Sequence, residues 1–187
     1  MQNSERLSAR LRAARDFRPE GFRRFEVGPE PVGWIRREQV DRLAAWPEVF
    51  ELASEKIQLW PAAEAVLSAR LAEVASALAR DGAIRGWRGE TYAIRAHSGA
   101  AVLFHLERSA MRFFGLTSSA AHLNGFFFQN EIPTMWIARR SATKPIDPGL
   151  LDNLVAGGVP SGQDAWQTLL RECGEEAGIP RALAAQA

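Results

Sequence analysis

The spacing of apolar and polar positions divides this chain into short strands and a few amphipathic helices. Phe22 to Val27 and Val32 to Ile35 read as strands separated by a Gly28-Pro29 turn. A short helix follows from about Arg37 to Ala45, then an irregular stretch through Trp46-Pro47 and a strand over Ser54 to Leu59. Pro61 suits a helix first turn, where its missing N–H costs nothing. Leu67, Leu71, Val74 and Leu78 then form one apolar stripe, and Gly82 is a natural stop. Glu90 to Ala96 and Ala101 to Leu106 read as a strand pair around His97-Ser98-Gly99, before a helix from about Glu107 to Phe114 that ends at Gly115.

The second half opens with strand-like runs at Ala121 to Gln129 and Thr134 to Arg139, around Pro133. A loop covers Ser141 to Leu150. Ala156 to Gly162 reads as loop, Asp164 to Ala177 as helix, and Gly178-Ile179-Pro180 as loop again. The pattern predicts an α+β class: one α+β domain over residues 1–118, then the start of an α/β unit over 119–187.

Composition changes this picture little. The 187 residues are 47% hydrophobic and 24% charged, enough for a packed core. With 23 basic and 22 acidic residues the net charge is +1, so nothing global draws the chain to nucleic acid or an anionic membrane. No run approaches the roughly 18 apolar residues of a membrane span, and no apolar signal core lies near Met1. A cytoplasmic location is the expectation. Arg6, Arg10, Arg12 and Arg15 could belong to an organellar presequence, but Glu5, Asp16 and Glu20 interrupt the charge and favour a basic surface helix. The single cysteine, Cys173, excludes an intramolecular disulfide and a multi-cysteine zinc site. His97, His105 and His122 lack metal-ligand spacing and read as structural, with His122 a candidate loop anchor.

The charge does divide along the chain, to +3 through Ser118 and −2 beyond it, and the acidic excess sits almost wholly in one helix. Glu172, Glu175 and Glu176 fall at i, i+3 and i+4, so three carboxylates project from one side. Trp166, Leu170, Cys173 and Ala177 form a separate stripe suited to burial. Clustered carboxylates repel one another unless a cation sits among them, and hard oxygen ligands suit Mg²⁺ or Mn²⁺. The alternative is a solvated acidic face on which Arg171 and Glu175 pair at i, i+4.

The frame around these residues bears on that choice. Gly157 is followed by five residues, Gln163, seven residues, and Arg171-Glu172-Cys173-Gly174-Glu175-Glu176-Ala177-Gly178-Ile179. This resembles the Nudix box, here residues 157–179, with two departures: Cys173 in an aliphatic place and Gln163 in the place of the first Glu. The resemblance implies that Glu172, Glu175 and Glu176 ligate Mg²⁺ (or Mn²⁺), with the Gly157 carbonyl as an added ligand. Arg171 is implied to be catalytic as an orienter, losing its charged partner to Gln163 and keeping at most a neutral hydrogen bond. The implied fold is the first part of a Nudix α/β/α sandwich.

Further segments resemble one subgroup. Gly33-Trp34-Ile35, Gly86-Trp87-Arg88, Glu90, Tyr92, Glu107-Arg108 and Phe114-Gly115 are similar to Nudix proteins related to thiamine pyrophosphokinase. So are His122 to Phe126, Met135 to Ser141, Lys144, Pro148-Gly149 and Leu151 to Gly158. The resemblance implies a hydrolase of a diphosphate (acid anhydride) bond that converts thiamine diphosphate, or its oxidised and damaged forms, to monophosphates. Arg139, Arg140 and Lys144, near a strand end, are candidate diphosphate holders; a solvated strand end is the other reading. Trp136 and Trp166 could stack on a heterocycle, with core packing the expectation. Competing functions are an inactive Nudix-derived ligand-binding module and a Nudix enzyme for another nucleoside diphosphate derivative. Only eight residues follow Ile179, so the hydrolase unit is expected to be incomplete and the chain a truncated form. Its open strand edges then invite association, a homodimer included.

Overall fold

The computed structural model describes residues 2–144 and 147–186. The basic N-terminal segment is helix α1 (Gln2–Arg15). Strands β1 (Phe22–Val27) and β2 (Glu30–Arg36) pair antiparallel across the Gly28 turn. The next helix is shorter than the pattern predicts: α2 (Arg37–Val40) passes into a 3-10 turn over Asp41–Ala45. The sequence pattern missed β3 (Phe50–Leu52), a three-residue strand too short to alternate visibly. Its partner β4 (Lys56–Leu59) lies parallel to β1, giving a four-stranded sheet in the order β2-β1-β4-β3.

Helix α3 (Glu64–Arg80) buries the predicted Leu67, Leu71, Val74 and Leu78 stripe. It starts three residues after Pro61, which lies outside the helix rather than in its first turn. The hairpin of β5 (Thr91–Ile94) and β6 (Phe104–Glu107) packs on α3, and α4 (Met111–Phe114) closes the unit at Gly115. One core gathers both sheets and α3, with Phe25, Phe50 and Phe114 at its centre.

Beyond Ser118 the strands come in pairs. The run Ala121 to Gln129 is broken at Asn124-Gly125 into β7 (Ala120–Leu123) and β8 (Phe126–Gln129). Strand β9 (Ile132–Met135) contains Pro133 instead of following it, in a two-stranded hairpin with β8 where a missing ladder N–H is tolerated. Strands β10 (Ala138–Arg139) and β11 (Leu151–Asp152) form a second small pair. The predicted loop at Ala156 is instead strand β12 (Val155–Gly158), antiparallel to β7 with Gly157 opposite Ala121.

Helix α5 (Ala165–Ala177) packs on β7 and β12, and a short α6 (Arg181–Ala184) packs on α5. Val155, Leu170, Cys173 and Ala184 are the buried centre of this part. Trp136 and Trp166 are exposed, at 58% and 44%, so neither is a core residue here; Ala177 is exposed as well. No helix among the described residues is long and apolar enough to cross a membrane.

Candidate active site

Helix α5 is fixed at both ends by local chemistry. Asp164 accepts from the Gln167 N–H at 2.7 Å, and the Gln167 side chain accepts from the Asp164 N–H at 3.2 Å, a reciprocal capping box. At the other end Gly178 turns left-handed (φ 63°), and the Ile179 N–H reaches back to the Cys173 carbonyl at 2.9 Å. Between these ends Cys173 and Leu170 face the β7–β12 pair, which turns Glu172 toward the glycines of β12. Burial pushes the Cys173 thiol above its usual range, so it is no poised nucleophile.

Glu172 is seated by Gly157. A Cβ at Gly157 would lie 2.3 Å from the Glu172 carboxyl carbon, so only glycine allows this approach. The Glu172 carboxyl is held above the usual carboxylate range, first by burial and then by the neighbouring Glu176 and Glu175 charges, against the opposing pull of Arg171. Glu176 Oε2 accepts from the Ala156 N–H at 3.2 Å, while its other oxygen lies 3.4 Å from the Lys144 ammonium. Two of the three glutamates therefore meet the same strand. Glu175 points outward to the Arg171 guanidinium at 2.9 Å.

Arg171 departs from the sequence expectation. It does not pair with Gln163; it bridges Glu172 at 2.8 Å and Glu175 at 2.9 Å, so its partners are charged. Gln163 instead accepts from the Thr168 hydroxyl at 3.3 Å, near the start of α5. The i, i+4 pairing of the solvated-face reading is thus present, but it involves only one of the three carboxylates, Glu175, at the exposed rim of the site. Gly157 also sits in a strand ladder rather than a loop.

The residues fit a hard divalent cation in chemistry: two α5 carboxylates set against one strand, one of them destabilised as an anion. Their arrangement differs from a gathered site. Among the described residues no group of three or more His, Cys, Asp or Glu is positioned to hold an ion. Arg171 pairs with Glu172 and Glu175, and Lys144 with Glu176, so each glutamate has a cationic partner.

The basic trio lies beside these glutamates. Arg139, Arg140 and Lys144 line a cavity of about 330 Å³ together with Asn153, Glu175 and Glu176. Arg140 is tied to Asp152 at 2.6 Å, and Arg139 donates to the Gly149 carbonyl. Asp152 is held below the usual carboxylate range, chiefly by the Arg140 hydrogen bond. His122 anchors this rim through Asn153 at 3.0 Å.

Sequence reasoning missed the contribution of the first part of the chain. The loop after β12 is stitched to the β5–β6 hairpin: the Ser161 N–H donates to the Thr91 carbonyl at 2.8 Å, and the Ser161 hydroxyl meets His105 Nδ1 at 2.7 Å. His105 Nε2 lies 3.1 Å from Glu64. Serine, histidine and carboxylate are in line, but Glu64 is half exposed, and the trio acts as a clasp between the two parts. Beside it, Tyr92 reaches Gly158, where a Cβ would lie 1.9 Å from the tyrosine oxygen.

Comparison with known families accounts for both parts. A family described as Domain of unknown function (DUF4743) matches residues 5–118, and the NUDIX domain family matches residues 124–185. The chain belongs to the DUF4743 family, joined to a Nudix domain. It is 32% identical to Nudix hydrolase 20, chloroplastic, of Arabidopsis thaliana over 174 residues, covering 87% of this chain and 46% of that protein. It is 41% identical to the same plant's Nudix hydrolase 24, chloroplastic, over 117 residues, covering 63% of this chain and 32% of that protein. An uncharacterized yeast protein, YJR142W of Saccharomyces cerevisiae, is 32% identical over 102 residues, covering 54% of this chain and 29% of that protein. The chain spans less than half the length of these relatives.

Proposed function

We propose that the chain carries the site of a Mg²⁺-dependent Nudix diphosphatase acting on thiamine-diphosphate-like substrates, oxidised forms included, with Mn²⁺ as a substitute. The observation that carries the reading is the seating of Glu172 on Gly157 and of Glu176 on the Ala156 N–H, beside a cavity lined by Arg139, Arg140 and Lys144. The two relatives named Nudix hydrolases support the same class of chemistry. The thiamine-related part rests on the segment resemblances, from Gly33-Trp34 to Leu151-Gly158.

In this reading Glu172 and Glu176 would hold the cation, with Glu175 assisting and the Gly157 carbonyl as an added donor. A bound divalent cation neutralises diphosphate oxygens and acidifies water. Arg171 first holds the glutamates in place and then turns to Glu175 alone, leaving Glu172 for the cation. Lys144 leaves Glu176 for the terminal phosphate, and Arg139 faces the same cavity. Arg140 keeps Asp152 and so holds the strand end in place. Water adds to the terminal phosphorus and gives up a proton to solvent, the bridging P–O bond breaks with its electron pair staying on the monophosphate oxygen, and the products are a monophosphate and inorganic phosphate.

The test is phosphate release from thiamine diphosphate and its oxidised forms by this chain with Mg²⁺ or Mn²⁺. Glu172→Gln should lower the rate by at least roughly tenfold. It should also raise the melting temperature without metal, because a desolvated charge is removed while the acceptor for Arg171 stays. No release from any of these substrates would overturn the reading. The pairing of Arg171 with two glutamates and of Lys144 with the third favours a second reading, a ligand-binding module without turnover. Calorimetry showing thiamine diphosphate bound but intact would establish it.

A further inference from the structure

The glycine pair of β12 is enclosed from two sides. Gly157 receives the Glu172 carboxyl, and Gly158 receives the Tyr92 hydroxyl. Successive residues of a strand face opposite ways, so the backbone of Gly157-Gly158 is held between a side chain of the Nudix helix and one of the DUF4743 unit. Tyr92 is only 4% exposed, and its oxygen is buried with no hydrogen-bond partner among the described residues. A buried hydroxyl without a partner costs about 1–3 kcal/mol, and phenylalanine would pack in the same place without that cost. Packing alone therefore does not account for a tyrosine here.

The surroundings of Tyr92 point to the site. The preceding residue, Thr91, accepts the Ser161 N–H, so β5 and the loop after β12 cannot separate without breaking that bond and the His105–Ser161 bond. Glu172 and Arg171 both lie close enough to act on Tyr92 electrostatically, as do Glu90 and Arg108 of its own unit. Arg171, whose guanidinium bridges Glu172 and Glu175, carries a second buried polar atom, Nε, with no hydrogen-bond partner among the described residues.

We propose that Tyr92 is a positioning residue of the diphosphatase site: its hydroxyl presses on Gly158 and so holds the Gly157 backbone against Glu172. The DUF4743 unit is then a working part of the hydrolase site, not only a neighbour of it. This inference rests on the proposed function, since it concerns the cation-holding geometry of the same glutamates.

The test uses Mn²⁺ binding by calorimetry, alongside melting temperature, on the whole chain. Tyr92→Phe should bind Mn²⁺ about tenfold more weakly, the usual effect of losing a residue that supports a ligand, while melting at the same or a higher temperature. Gly158→Ala, which inserts a methyl where the hydroxyl sits, should weaken binding as well. The double variant should lose less than the two singles combined, because both act through one contact. Wild-type affinity in Tyr92→Phe would overturn the proposal and leave the diphosphatase reading standing. So would a loss matched by a lower melting temperature, which marks packing alone. If the wild-type chain takes up no Mn²⁺, the diphosphatase reading itself fails and this inference with it.

Discussion

In the first part of the chain Phe25, Phe50 and Phe114 lie within 6.3 Å of one another, ring to ring, inside a core that spans two sheets and a helix. In the second part Phe126 and Phe128 meet at 5.9 Å on an open hairpin, 63% and 67% exposed. The same residue type serves opposite ends. The DUF4743 unit has the larger core, and the Nudix part sets the α5 glutamates against β12 over a buried centre of four residues. Its glycine strand is therefore steadied from outside, through Thr91, Tyr92 and His105.

The sharpest way to break this comparison is to remove one large buried side chain from each part. Phe104 of β6, fully buried in the large core, should cost about 3–5 kcal/mol as Phe104→Ala. Leu170→Ala should cost nearer 2 kcal/mol, since few buried neighbours surround it. Urea denaturation measures both. Equal losses would show that the small cluster is as tightly knit as the large one.

A smaller effect tests the rim of the cavity. The Arg140 hydrogen bond depresses the Asp152 carboxyl, so the folded state binds a proton there less readily than the unfolded chain does. That contribution is present above the ordinary carboxylate value and is lost as pH falls through the depressed one. Asp152→Asn should therefore cost about 1 kcal/mol or less at neutral pH, and nothing once wild-type Asp152 is protonated. Thermal melts at pH 7 and in strong acid read the difference; a gap that persists in acid would mean the charge is not its source.

What the sequence made legible follows from how local each signal is. The α3 stripe, the β1–β2 turn and the helix of the box are set by residues within a few positions of one another, and each is where the pattern puts it. Strand β12 read as loop because Gly157-Gly158 carries no side chains to alternate, yet the gap they leave is what admits Glu172 and Tyr92. Trp136 and Trp166 read as core because burial is the usual fate of tryptophan, but their positions depend on which strands exist to cover them. Arg171 read as a partner of Gln163 by position in the box; two carboxylates within reach outweigh one neutral amide. Tyr92 is more than sixty residues from the glycine it meets, and no local pattern links them.

The smallest expected effect on stability lies at the exposed hairpin. Phe126 and Phe128 alternate on one face of β8, with Ile132 on the paired strand also largely exposed, while Phe127 turns to Trp136 at 5.5 Å on the other. Replacing Phe128 with Ser removes apolar surface that the folded chain does not bury, so the unfolding free energy should move by less than about 0.5 kcal/mol. Association should respond far more, because exposed apolar area on a strand with unpaired edges favours contact between copies. Sedimentation over a concentration series should show self-association in the wild type and less of it in Phe128→Ser. A stability loss as large as that of Leu170→Ala would instead mean that the hairpin face is packed in solution, and the contrast between the two parts would narrow to the helices alone.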